Sequence, residues 1–558
     1  MMTRIRRVVR WLAALAGAVG LVVFWPCVRN GFTHWDDPEY LDRVVELQGI
    51  SLQSVHWAFV QSVAVAGYYH PLTWLSHLLD YQLWGLQPLP YHATNLLLHV
   101  LNIVLVVVFV EKLLRAVPSL ADNERYAMTL SVGIVFAIHP LQVEVVAWIA
   151  ERKTLLCATF ILASLCAYMK LAEGPSRRGW WWAMNTCFAL ALLAKPMAVP
   201  LPAVMLLLDW YPLRRPATWG WWRLLREKLP MFLLGMLSAA GTFFTQSRQG
   251  AIDTFAHLGA AERGLVAARS LVFYVWKLVW PMWLSPYYPM SESVSARDVE
   301  YLVPGLICVA LAVIAFAGRR RWPSLGTALA ANAVFLAPVS GLVPLGGYAV
   351  ADRYAYLAMV PILLLVAGAV VLLWRRPSRL ARAVLVIWLC CQFLLYVSAT
   401  RGQIRVWSSD ETLWREVWSH FPNSPVANCQ LAMAYKDRSR FEEGLAYAVR
   451  AIELSPDFAE AHAAAGVADL KLRRYRDAVT ELSHAIRDKP TLLAARYNLA
   501  CADARLGRLG EAYDALRELL AAQPGYAPLA ARDGELAALR HDPDYAARFA
   551  ALTGAAKN

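Results

Sequence analysis

Charge is scarce in this 558-residue chain: Asp, Glu, Lys and Arg make up 17% of it, against 58% hydrophobic residues. With a mean hydropathy of +0.40, a wholly soluble protein of this length is excluded. The chain also lacks a CxxC motif, so its nine cysteines do not suggest a zinc or redox site. Most of them lie in apolar runs, and only Cys429 and Cys501 fall in the polar C-terminal part. No RNA- or DNA-binding motif accompanies the net charge of +13. Much of the basic charge sits in short segments between apolar runs, as the positive-inside rule expects, so no nucleic-acid partner is assigned. The basic start MMTRIRRVVR is followed by no convincing small-x-small cleavage site before Gly31. It predicts an uncleaved signal anchor with its basic end inside.

What is present is a series of apolar runs over residues 8–400, then a polar, helical-looking segment over 401–558. Candidate spans are 8–28, 92–110, 127–147, 154–171, 180–194, 197–211, 229–246, 265–284, 301–317, 324–343, 354–374 and 382–399. The basic loops Lys112–Arg125, Lys170–Arg178, Arg214–Lys228, Arg319–Arg321 and Arg375–Arg382 all fall on the N-terminal side only if one candidate does not cross. We assign 265–284, which contains Arg269 and Lys277 and ends in a proline-rich aromatic stretch, as re-entrant or interfacial. Eleven crossings remain. Loop 29–91, with amphipathic and aromatic stretches, and the C-terminal part are then both extracytoplasmic.

Pro422, Pro456, Pro490 and Pro524 are spaced by 34 residues. Ala432, Gly466 and Ala500 keep the same period, as do Gly444, Ala478 and Ala512. This is the tetratricopeptide period, in which small residues let two helices pack closely. It predicts a connector and half repeat over 401–424, three repeats over 425–526 and a cap over 527–558. Such arrays present a concave face to a peptide or protein segment; the alternative is a stack with only a stabilising role.

The candidate site begins at GFTHWDDPEYL, Gly31–Leu41, directly after the first apolar run. Asp37-Pro38 is a good helix start, which gives Asp37 a capping role and leaves Asp36 the freer carboxylate. Other charged or polar residues sit where a membrane makes them costly: His70, His139, Glu144, Arg152, Lys153, Lys195, Asp352 and Arg353. On the topology above they gather on the outer side with Asp36. Individually, each fits an interfacial residue or an ion pair, and Glu151–Arg152–Lys153 reads as a hydrated turn. His70/His77 and His92/His99, each seven apart, read as packing pairs, and no metal is assigned.

These stretches carry a resemblance. GFTHWDDPEYL, YYHPLTWLSHLLDYQLWGLQPLPYHATNLLLHVLN, HPLQVEVVAWIAERK, LLAKPMAVPLPAVMLLLDWYPLR and ADRYAYL, followed by the repeats, resemble the transmembrane and tetratricopeptide-repeat O-mannosyltransferases and their bacterial relatives. The resemblance covers nearly the whole chain, but Thr154 stands where relatives often carry an acid after the ERK triplet. It implies an all-α fold: a GT-C-like polytopic membrane domain over 1–400 and a C-terminal tetratricopeptide solenoid. It further implies transfer of a sugar from a polyprenyl-phosphate donor to protein hydroxyls, without fixing the sugar. In that class an acid of the first outer loop is essential, the place that Asp36 and Asp37 occupy.

The chemistry fits the residues. A polyprenyl phosphate leaves as a stable anion and needs cations, for which Arg152, Lys153, Lys195 and Arg353 are candidates. The acceptor hydroxyl needs a base, Asp36 or Asp37, and direct displacement inverts the anomeric centre. His70, His139, Glu144 and Asp352 would support the site. No cofactor is required beyond the donor substrate, and no divalent metal is predicted. The expected partners are the lipid-linked donor, the membrane, and an acceptor protein held by the repeats; the expected location is an inner membrane with the site periplasmic. Competing readings are a membrane-anchored repeat scaffold without activity and a transporter of a lipid-linked sugar. Inverted repeats would favour the transporter, and none is found.

Overall fold

The computed structural model describes residues 2–62, 69–174, 178–248, 258–290, 294–343 and 349–554. Residues 63–68 of the predicted outer loop, 175–177 of a basic loop and 555–558 of the predicted cap lie outside them. Among the described residues every regular element is helical. The chain divides into two compact units, Met1–Ser409 and Asp410–Asn558. The Arg379–Val406 helix carries the first unit past the expected boundary at 400, because its apolar run continues into a helical turn containing Arg401 and Arg405.

The first unit is a polytopic membrane domain. Among the described residues, seven of its helices are long and apolar enough to cross a bilayer, or eight if the bent pair Asp122–Ile138 and Pro140–Ala147 counts as one span. The 54° bend falls at His139-Pro140, where proline removes a backbone donor from the helical ladder. Several expected spans form shorter helices: Arg178–Ala194 has 17 residues, Pro323–Leu336 has 14 and Leu201–Trp210 has 10. Ala260–Val279, covering most of the expected non-crossing segment, carries Glu262, Arg263, Arg269 and Lys277 and is not among the seven.

Polar side chains tie the long helices together inside the apolar bundle. His99 Nδ1 and the Tyr356 hydroxyl are 2.8 Å apart, and Asn102 donates to the same hydroxyl at 3.2 Å. The Thr159 hydroxyl donates to Asn102 Oδ1 at 2.7 Å. In hydrocarbon such bonds act as glue between helices. They join Pro88–Arg115, Arg152–Ala172 and Ala355–Trp374, and so fix the ends that carry Lys153 and Arg353.

The second unit contains helix pairs Pro425–Lys436/Phe441–Leu454, Ala459–Lys471/Tyr475–Asp488 and Leu493–Arg505/Leu509–Ala522. Their starting points recur at the 34-residue spacing of the prolines. The small residues sit at the close approaches: a Cβ on Gly466 would lie 2.6 Å from Leu482 Cγ and 3.2 Å from the Ala478 carbonyl oxygen. Gly466→Val therefore overpacks this pair and should cost about 2 kcal/mol, lowering the melting temperature of the full chain. Gly525→Ala, whose Cβ meets nothing within 4 Å, should leave melting unchanged; thermal denaturation followed by circular dichroism checks both.

Candidate active site

The loop after the first apolar helix is clamped at one residue. Asp37 is 1% exposed. Its Oδ2 accepts from the Thr33 amide at 2.9 Å and the Thr33 hydroxyl at 3.0 Å, while Oδ1 accepts from the Ala150 amide at 3.0 Å. The expected capping role is thus replaced. Asp37 is the first residue of the Asp37–Leu47 helix, and its carboxylate joins loop 1 to the turn before Arg152 instead of capping its own helix. Burial raises its pKa to about 6, with the three hydrogen bonds acting in the opposite direction.

Asp36 is oriented differently. Its side chain is 37% exposed, and its Oδ2 lies 3.6 Å from Lys153 Nζ. Beside it, Trp35 stacks on Trp148 with ring centroids 5.0 Å apart. Lys153 Nζ lies over the Tyr40 and Trp148 rings at 5.5 and 5.7 Å, which holds the ammonium between aromatic faces.

From Lys153 an ion-pair network runs inward through Glu151. This carboxylate is 1% exposed. Lys195 Nζ is 3.1 Å away, Lys153 Nζ 3.6 Å and Arg353 Nε 3.7 Å. Lys195 also donates to the Thr154 hydroxyl at 2.7 Å, and Thr154 donates to Glu151. Arg353 pairs with Glu144 through its guanidinium and donates its backbone amide to the same carboxylate at 2.8 Å. Three sequence-distant cations, Lys153, Lys195 and Arg353, therefore converge on one buried acid.

The other predicted residues lie around this network. The Arg152 side chain is fully buried and committed elsewhere: it pairs with Asp80, donates to Asn95 Oδ1 at 2.9 Å and to the Tyr91 carbonyl at 2.8 Å. His139 bonds through Nε2 to the Leu278 carbonyl at 3.0 Å and accepts at Nδ1 from the Leu141 amide, capping the turn after the bend. His70 Nε2 and the Tyr40 hydroxyl are 3.0 Å apart. Asp352 accepts from the Tyr288 hydroxyl at 2.9 Å. Sequence reasoning missed Glu151 as the centre and Asp80 as the partner of Arg152. A usable signal was the placement of Glu151, Arg152 and Lys153 directly before an apolar helix, where three adjacent charges require partners.

Lys195 and Arg353 line a small cavity together with Cys157, Met197, Phe335 and Leu357. Phe335 and Leu357 also line a larger, predominantly apolar cavity of about 530 Å³. Its lining follows the Ala355–Trp374 helix from Leu357 to Leu372 and reaches Arg375, about 27 Å along the helix axis. A hydrocarbon-lined space of nearly bilayer depth thus begins beside two of the cations.

No protein-family model matches the chain. It is 26% identical to protein O-mannosyl-transferase TMTC3 of Mus musculus over 84% of its own length and 55% of that protein. It is 25% identical to TMTC4 of Homo sapiens over 78% of its own length and 65% of that protein. Over most of its length the chain is similar to TMTC protein O-mannosyl-transferases. A 151-residue stretch is 34% identical to mouse TMTC2, covering 26% of the chain and 17% of that protein. The chain spans between about half and two thirds of the length of the TMTC proteins it matches over most of its own sequence.

Asp37→Asn replaces an acceptor of three donors with a group that presents donors of its own, and should cost about 1–3 kcal/mol. Asp36→Asn, which removes only a half-exposed ion pair, should cost less than about 1 kcal/mol. A raised carboxyl pKa favours the fold when protonated, and that contribution is lost as pH rises through about 6. The melting-temperature gap between wild type and Asp37→Asn should therefore widen as pH drops from about 7 to about 5. A narrowing gap would mean that the three donors, and not burial, dominate.

Proposed function

We propose that this chain is an integral-membrane glycosyltransferase that moves a sugar from a polyprenyl-phosphate donor to a protein Ser or Thr hydroxyl, inverting the anomeric centre. The shared name of its relatives supports mannose as the sugar and protein as the acceptor. The observation that carries the reading is Asp36, a half-exposed carboxylate 3.6 Å from Lys153, at the head of a cation network that ends beside a lipid-sized apolar cavity.

In this reading the polyprenyl chain occupies the apolar cavity and the donor phosphate meets Lys195 and Arg353, with Lys153 nearer the acceptor. Asp36 takes the proton of the acceptor hydroxyl as that oxygen attacks the anomeric carbon. The bond from that carbon to the phosphate oxygen breaks, and the electron pair leaves with the polyprenyl phosphate. The cations stabilise the charge that develops on the phosphate, and no proton donor to the leaving group is required. Asp37 acts as a positioning residue, since its bonds to Thr33 and Ala150 set the distance between the loop acid and the cation-bearing turn. Arg152, saturated by Asp80, Asn95 and Tyr91, supports that turn and does not contact phosphate.

The acids and cations would lie on the extracytoplasmic face of an inner membrane, opposite the basic loops, and the 34-residue repeats would bind the acceptor protein. The scaffold reading gives no reason to assemble buried cations beside a deep apolar cavity, since one span would suffice as an anchor.

The test is transfer of labelled mannose from polyprenyl-phosphate mannose to membrane proteins by the reconstituted full chain. Asp36→Asn should lose at least about a hundredfold in rate while melting like wild type. Lys195→Gln should lower turnover without abolishing the fold. Wild-type rates in Asp36→Asn would overturn the assignment of the base, and the absence of transfer by the wild type would return the scaffold reading.

A further inference from the structure

The far end of the membrane domain carries a second charged cluster that the proposed transfer does not use. On the Arg152–Ala172 helix, Tyr168 belongs to this cluster and lies about 22 Å of rise from Lys153. Here Asp209 and Lys228 are both fully buried, with Oδ2 and Nζ 2.7 Å apart. Arg215 reaches Asp209 at 3.0 Å and Glu227 at 2.8 Å, and Lys228 reaches Glu227 at 3.0 Å. The Tyr168 hydroxyl donates to Asp209. Two acids and two bases neutralise one another, as a buried network must.

That closed balance leaves no acid for Arg178, Arg223 and Arg226. These three line an adjacent cavity of about 600 Å³ with Trp181, Trp219 and Glu227. Among the described residues none of the three arginines forms an ion pair. Trp219 is held in place by guanidinium groups, Arg215 and Arg223 each lying 4.3 Å from its ring centroid. Trp181 donates to the Glu227 carbonyl at 3.0 Å. Around the rim Trp182 and Trp222 are 63% and 69% exposed, the arrangement of tryptophans at the depth of lipid headgroups. Continuing from Arg223 and Arg226, the Trp221–Arg248 helix exposes Leu225, Leu229, Leu233 and Leu237, an apolar i, i+4 stripe.

We propose that Arg178, Arg223 and Arg226, with Trp181 and Trp219, bind the headgroup phosphate of an anionic glycerophospholipid whose acyl chains lie along this leucine stripe. Guanidinium groups suit a phosphodiester through forked donors. Three uncompensated positive charges select a lipid with net negative charge over a zwitterionic one, which brings its own cation. The site is distinct from the donor cavity, which shares none of these residues, and it does not depend on the proposed transfer activity.

The purified full-length protein in detergent, given equimolar phosphatidylglycerol and phosphatidylcholine, would be examined by native mass spectrometry. Wild type should retain phosphatidylglycerol in preference by at least about tenfold. The triple variant Arg178→Gln/Arg223→Gln/Arg226→Gln should lose that preference. Arg319→Gln/Arg320→Gln/Arg321→Gln, the same charge loss from another exposed turn, should keep it. Equal retention of the two lipids by wild type, or an unchanged preference in the first triple variant, would overturn the proposal. So would equal loss in both variants, or full displacement of the lipid by inorganic phosphate, which would mark a simple anion site.

Discussion

The membrane domain is organised around the desolvation of Glu151. A carboxylate sealed from water at the mouth of an apolar bundle is stable only with cations close by. Here three cations come from three separate segments: the first turn of Arg152–Ala172, the break after Arg178–Ala194, and the break before Ala355–Trp374. The same acid that costs most to bury therefore determines where Lys153, Lys195 and Arg353 lie. Arg353 is shared with Glu144, on the short helix beyond the His139-Pro140 bend, so the bend places a second acid where the network needs it.

Loop 1 joins this network through two neighbouring aspartates with opposite surroundings. Asp37 is buried and holds two backbone amides and a hydroxyl; Asp36 is half exposed and faces one ammonium. Adjacent residues at a helix start point in different directions, so one can anchor while the other stays accessible. Rigid support for an accessible base is what proton abstraction from a weak nucleophile demands. The apolar cavity beside Lys195 and Arg353 has the length and lining for a lipid tail, which ties the electrostatics to the proposed donor.

Much of this was readable in the sequence. The apolar runs located the membrane helices, and the prolines at 34-residue spacing located the paired helices, because both signals are local and periodic. Asp36, Lys153, Lys195 and Arg353 stood out as charges at apolar boundaries. What was not readable depended on pairing between distant segments. In the sequence Glu151 reads as part of a hydrated turn; only the fold brings Lys195 and Arg353 to it. In the sequence Arg152 reads as available as Lys153; in the fold Asp80, on the Pro71–Trp84 helix, holds it. The 54° bend at His139-Pro140 is a local effect of proline that hydropathy alone does not register.

The proposed transfer requires that the cations gathered by Glu151 form a phosphate site opening onto a lipid cavity. The most direct measurement is the affinity of the reconstituted chain for polyprenyl phosphate compared with uncharged polyprenol, in wild type and in Lys195→Gln. Wild type should bind the phosphate form at least about tenfold more tightly, and Lys195→Gln should remove most of that difference while leaving polyprenol binding unchanged. Equal affinity for the two lipids, or a phosphate preference untouched by Lys195→Gln, would contradict that requirement.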